Sequence, residues 1–583
     1  MHNWNLDILY TSFNNEEFKN DFNYLIEKKS YFKNFFNQNN INLLEKFLEE
    51  YSEYFSKFLK IYYFCELKLS TNVNDSDAME YLEKIENFNT NITEIEVNLK
   101  KYLKNLDNLD DIINSRNYLK EFKFYLSEQK QLSKHLLSDN EELLLEKMKN
   151  TGSKYWTKLQ ENLTANLLVN IEINGKQKQL PLSSIRNLAY DKDSTIRKKA
   201  YFAEIESYKN IESPVSFALN AIKGEAILEA KMRGYNSLLE KTLIQSRVSK
   251  STLNIMFETI QENLKYFEKY LLKKAKILGH QNSLPFYDLF APIGNIDKKY
   301  TIEEAKDFII TNFNKFSSSL SNYAKKAFDN NWVDFLPAQG KRGGAFCLNI
   351  HSEKESRIML NFSGSFNDVS TLAHELGHGY HGEAIKNQHL FNSNYTMPIA
   401  ETASIFCETI VKNAILKNAS DDEKLFILEQ DLTHNTQIIV DIYSRFLFED
   451  SFIKEREKGS LSLEKINNLM LEAQKKAYGK GLDKNYLHKY MWICKPHYYS
   501  AEVNYYNFPY TFGLLFAKGL YKLYLEDKNK FIKKYDILLS ITGKNNIEDI
   551  MNSINIDITK KEFWQGALDI IINDIEKFNS IIK

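Results

Sequence analysis

The stretch TLAHELGHGYHGEA, residues 371–384, sets three histidines, His374, His378 and His381, around one acid, Glu375. On a helix, positions four apart differ by about 40° around the axis, so His374 and His378 leave one face and can ligate a single ion. Glu375 stands roughly 100° from His374, where its carboxylate can reach a water beside that ion without taking a coordination place. His381 shares the histidine face. A helix rises about 10 Å over seven residues, however, too far for His374 and His381 to share a tetrahedral ion easily, so His381 is read as core or as support for a ligand.

The spacing is HExxH. The longer HExxHxxGxxH pattern is excluded, because it would need Gly at 381 and His at 384, where this chain has His381 and Ala384. Asn367, Asp368 or Ser370 can cap the helix, and Leu372, Ala373 and Leu376 supply an apolar side. The third ligand should be a carboxylate from a following helix. MPIAETASIFCETIVKNAI (397–415) fits, with Thr396 as cap, Pro398 in the first turn and Glu401 in the next. Glu408, on the same face, is the rival ligand and reads better as a buttress for a ligand histidine.

Around this stretch the chain of 583 residues has room for two or more domains, and its 8 Pro and 20 Gly leave few helix breakers, so a mainly all-α fold is expected. A net charge of −1 with mixed signs gives no footprint for nucleic acid. No apolar run approaches a membrane span and the N-terminus has no signal-like pattern, so a cytoplasmic location is expected. Cys65, Cys347, Cys407 and Cys494 are far apart and read as free thiols.

Glu16 to about Asn150 shows helical periodicity, with aromatic stripes such as Tyr51, Tyr54, Phe55 and Phe58 read as packing. LLVNIEINGKQKQLPL (167–182) alternates around Asn174-Gly175, a two-residue hairpin turn, and marks the junction of an N-terminal lobe (1–190) with the remainder (191–583). Asp191 to Ser194 supplies the next helix start. A second break, residues 337–365, holds the β-like runs AFCLNI and RIMLNF just before the histidine helix. From Ser370 the pattern is helical almost to Lys583.

HELGHGYH followed by IAETASIFCE resembles the HExGHxxH…ExxSxxxE signature of the thimet oligopeptidase and oligoendopeptidase F family of zinc peptidases. GKRGGAF (340–346), RIMLNF (357–362), PHYYSAEVNYYNFPYTFG (496–513) and the WNLDILY opening are similar to segments of oligoendopeptidase F, so the likeness spans nearly the whole chain. The resemblance implies a two-lobed helical bowl with a deep channel, one Zn2+ on its floor and an entrance that admits short peptides. Residue by residue it implies zinc on His374, His378 and Glu401, Glu375 as general base, and His497, Tyr506 and Tyr510 contacting the scissile carbonyl, with Tyr505 as the alternative to Tyr506. It also implies that RIMLNF pairs with substrate main chain. The activity expected is hydrolysis of internal bonds in oligopeptide substrates. The rivals are a carboxypeptidase or dipeptidyl carboxypeptidase of the same fold, and a non-catalytic peptide- or metal-binding protein, against which the intact Glu375 speaks. The sequence leaves the oligomeric state open.

Overall fold

The computed structural model describes residues 3–37, 42–294 and 298–581. It is 70% helical with only small sheets, the class expected from the scarcity of breakers. Long helices over Glu16–Lys33, Leu43–Thr71 and Ser76–Lys104 open the chain. Tyr51, Tyr54 and Phe58 of the stripe are buried among them, and Tyr51 stacks on Phe47 with ring centroids 4.9 Å apart. These side chains belong to a core that runs from Leu9 to Leu126 and takes in Ile350, while a larger core runs from Leu167 to Phe578.

At the start of the larger core β1 (Leu168–Ile173) and β2 (Lys176–Pro181) pair antiparallel. Asn174 at φ 53° and Gly175 at φ 72° form the loop, the left-handed pair that an Asn-Gly hairpin turn requires. Val169 and Ile171 are buried and Leu168, Asn170 and Glu172 exposed, so the alternation read in the sequence is a half-buried ribbon. Asp193 then caps the helix Ser194–Tyr208 by accepting from the Thr195 amide.

A second sheet has the order β3–β5–β4, from β3 (Val333–Asp334), β4 (Phe346–Ile350) and β5 (Glu355–Met359). RIMLNF begins within β5, which is hydrogen-bonded on one side to β3 and on the other to β4. A strand with both edges filled has no free ladder to offer, so the expectation that RIMLNF pairs with a peptide is corrected. The long outer edge of this sheet belongs to β4.

The helix that carries the histidines is Phe366–Ile385. Its cap is Ser365, not Asn367 or Ser370: the Ser365 hydroxyl accepts from the Asp368 amide, and Asp368 accepts from the Ser365 amide at 2.9 Å. This is a capping box, and it starts the helix ahead of all three expected caps. Downstream, the helices Asp421–Thr436 and Ile442–Arg456 are joined by one π-helical segment, Gln437–Asp441. Residues 479–507 depart from the helical reading. Gly479 turns the chain at φ 54°, and only short 3-10 turns at Lys484–Tyr486 and Pro496–Tyr498 follow. Buried Tyr490, Trp492, Tyr498 and Tyr499 anchor this segment in place of a backbone ladder. Regular structure returns at Phe508–Glu526, with Pro509 in the first turn. Among the described residues no helix is long and apolar enough to cross a membrane.

Candidate active site

Glu401 is the hinge of the site. The short helix Met397–Ala400 ends there, Glu401 itself sits at φ −86°, ψ 6°, and the helix Thr402–Leu416 begins after it. The break turns its carboxylate toward the histidine helix. That helix crosses close by, because Gly377 lies against Ala403 and Ser404: a Cβ on Gly377 would stand 2.5 Å from the Ala403 carbonyl oxygen. On the opposite side Gly513 lets the helix Phe508–Glu526 approach, since a Cβ there would come within 3.2 Å of both the Glu401 Cβ and the Pro398 carbonyl. Two glycines thus fix Glu401 between two helices.

Glu401 Oε2 lies 3.2 Å from His374 Nε2 and 3.4 Å from His378 Nε2. The ligand atoms of these three residues all fall within 4.8 Å of one another. Each has a further partner that sets its orientation. His374 Nδ1 lies 3.3 Å from Glu408 Oε2, the Ala400 carbonyl accepts from the His378 ring, and Ser404 donates to Glu401 at 2.7 Å. Ligand groups held in this way are the usual design of a metal site. Glu408 therefore sits behind His374, in the buttressing position read from the sequence.

Charge fits a cation as well. Burial works against the charge on His374, yet hydrogen bonds to Glu401 and Glu408 override it and raise its pKa to about 10. Burial likewise opposes ionisation of Glu401 and Glu408, but the contact with His374 holds both down to about 2. His378 is pushed down to about 4 by burial. Two imidazoles and the Glu401 carboxylate, with Glu408 behind His374, make a donor set of the kind that zinc takes, His and carboxylate.

Glu375 differs from the other acids. It is buried, only 6% exposed, and no hydrogen bond or ion pair joins its carboxylate to another described residue. Burial raises its pKa to about 7, with His374 opposing and Glu401 adding to the shift. It shares with His374, Glu408 and Ala345 a cleft of about 490 Å³. A carboxyl poised near neutrality in a cleft is suited to move a proton.

A second group gathers on the chain after Lys495. The His497 and Tyr506 rings lie 4.9 Å apart, and the Tyr510 hydroxyl donates to that of Tyr506 at 3.4 Å. Tyr505 turns away. Its φ is 53°, its amide donates to Glu449 and its hydroxyl to Asp450, so Tyr506 is the member of the pair brought to Tyr510. Asn507 and Arg445, which sequence reasoning missed, hold His497. Asn507 Oδ1 accepts from Arg445 Nη1 at 3.2 Å, and His497 Nδ1 stands 3.0 Å from the same oxygen. An atom that accepts from a guanidinium is an oxygen, so His497 carries a proton on Nδ1, and its Nε2 is left free of that contact. Nothing in the spacing of Arg445 or Asn507 announces this.

His381 is not with the metal candidates. It is fully buried, stacks on Tyr395 with centroids 4.0 Å apart, and meets the Thr542 hydroxyl at 2.8 Å.

The profile of Peptidase family M3 matches residues 187–570, and that of Oligopeptidase F matches residues 105–167. The chain is 26% identical to an oligoendopeptidase F homolog of Borreliella burgdorferi, over 100% of this chain and 98% of that protein. It is 24% identical to oligopeptidase PepF of Bacillus subtilis, over 82% of this chain and 71% of that protein. Among solved structures, a peptidase from Chlamydophila abortus superposes with a TM-score of 0.87 at 22% identity, covering 100% of this chain and 98% of that one. The oligoendopeptidase-F of Enterococcus faecium superposes at 0.71 and 18% identity, covering 97% and 99%. With the family profile covering well over half of its length, the chain belongs to Peptidase family M3, and it is a metallopeptidase.

Proposed function

We propose that this protein is a zinc metalloendopeptidase of the oligoendopeptidase F type, with one Zn2+ held by His374, His378 and Glu401 and internal bonds of short peptides as its target. The observation that carries the reading is the partnerless buried Glu375 beside the His-His-Glu cluster, since a site that merely stores metal has no use for a free carboxyl there. When bound, zinc acidifies water and polarises a carbonyl. Glu375 takes the water's proton and passes it to the leaving amine. Tyr510 and Tyr506 supply hydrogen bonds to the oxygen that becomes charged as the carbonyl is attacked, and His497 joins them through Nε2 once that nitrogen carries a second proton. Asn507 and Arg445 keep the His497 ring in one orientation, and Glu408 does so for His374.

Substrate main chain pairs along the outer edge of β4, and Ala345, the residue just before that strand, lines the same cleft as His374 and Glu375. We place the division between the lobes near residue 190, the protein in the cytoplasm, and no nucleic acid or membrane among its partners. Mass spectrometry of an unlabelled peptide mixture tests the function. Internal cuts that stop on chelation and return with zinc are expected. Removal of only the last one or two residues would favour the exopeptidase rival, and no cuts at all would favour a binding protein.

A further inference from the structure

Arg445 also lines a cavity of about 340 Å³, within the size range of small-ligand sites. Four cations line it, Arg186, Arg197, Arg445 and Lys495, against two acids, Glu204 and Asp441. Three of the cations are accounted for. Arg197 is bound to Asp288, Arg445 to Asp441, and Arg186 lies 3.5 Å from Glu204. Lys495 is the surplus: its ammonium makes no hydrogen bond or ion pair with any described residue. Burial, with Arg445 close by, lowers its pKa. The Arg445 Nε is also buried without an acceptor. A buried donor left unpaired is costly, and an anion would relieve the Arg445 Nε and give the Lys495 ammonium a partner. Aromatic walls from Tyr190, Tyr201 and Tyr478 give the cavity apolar surface for whatever carries that anion.

Its position ties it to the catalytic wall. Lys495 is two residues before His497, and Arg445 reaches His497 through the single amide of Asn507. We propose that this cavity is a carboxylate subsite that takes the negatively charged end of a peptide, either its C-terminal carboxylate or an acidic side chain, on Lys495 and Arg445. The inference rests on the peptidase reading above. It adds that a substrate is anchored by charge near the catalytic donors as well as by its main chain.

The test measures binding in Glu375→Gln protein loaded with zinc, by fluorescence anisotropy of labelled peptide pairs. One pair differs only in a C-terminal acid or amide, the other only in an internal Glu or Gln. At least one pair should show the acid bound about tenfold more tightly, and the pair that does identifies the source of the carboxylate. Lys495→Met should reduce that ratio below about twofold, and Lys495→Arg should retain it. Two pairs without a preference, or a preference that survives Lys495→Met, would overturn the subsite. Hydrolysis by the unsubstituted enzyme is followed separately, so that a protein that binds acids selectively and cuts nothing contradicts the peptidase reading and not the subsite.

Discussion

The hydroxyl of Tyr510 lies 3.4 Å from that of Tyr506, and Gly513, one turn on from Tyr510, packs directly on Glu401. One helix therefore carries a phenol and, three residues later, the contact that seats the proposed metal ligand Glu401. In the proposed site the position of the donor and the position of the metal are set by the same rigid element, which is what catalysis by prearranged dipoles requires.

Tyr510→Phe removes the hydroxyl and keeps the ring. If the phenol stabilises the charged oxygen, kcat falls by about 10² to 10³, some 2.7 to 4 kcal/mol, with KM little changed. Steady-state kinetics on a quenched fluorescent peptide, at equal zinc content, gives the answer. A fall of less than about threefold would move the role to His497 or Tyr506.

Asn507→Leu leaves His497 Nδ1 and Arg445 Nη1 without their shared acceptor. A ring freed to rotate is misplaced, so kcat should drop by about 10²-fold while metal content stays unchanged. Unaltered kcat in a protein that has lost this amide would show that His497 needs no such support.

Gly377→Ala tests how the two helices cross. The neighbour of the added Cβ is the Ala403 backbone oxygen, which cannot rotate away. The helices must separate, at about 1 to 3 kcal/mol of stability, and Glu401 must move from the histidines. Zinc titration should show weaker binding; affinity equal to that of the unsubstituted protein would mean that the crossing tolerates a methyl group.

His381 predicts a pH dependence of stability. Thr542 gives its own hydroxyl proton to the Leu539 carbonyl, so His381 donates to it and is neutral when folded. Burial lowers its pKa from 6.5 to about 3. Below pH 6.5 the unfolded chain takes up a proton that the folded one refuses, so stability is lost as pH falls, by up to about 1.4 kcal/mol per unit. In His381→Phe that loss is absent. The stability advantage of the native histidine should therefore shrink by about 2 kcal/mol between pH 7.5 and 5.0, as read by urea denaturation. A difference constant with pH would show that His381 is not held neutral.

What the sequence revealed, and what it hid, follows from how local each signal is. His374, Glu375 and His378 are placed by one helix, and Glu401 by a break whose proline stands three residues before it. Asn174-Gly175 gave its turn for the same reason. The order of β3, β5 and β4 depends on pairing between segments that no local pattern links, so nothing in RIMLNF itself shows that the strand it begins in is the central one, with no edge for a peptide. The aromatic spacing of residues 479–507 mimics helical periodicity, though those rings are buried anchors of an irregular chain. The choice of Tyr506 over Tyr505 turned on one left-handed backbone angle. Arg445, Asn507 and Lys495 act through contacts across elements, which residue type and spacing do not encode.

The division of labour between Glu375 and Glu401 is the centre of this account, and one paired experiment measures it: zinc content and peptide turnover in Glu375→Gln and Glu401→Gln. The first should retain about one zinc per chain and lose hydrolysis, because the amide fills the space and cannot accept a proton. The second should lose zinc. Near-normal turnover in Glu375→Gln, or full zinc retention in Glu401→Gln, would contradict the assignment.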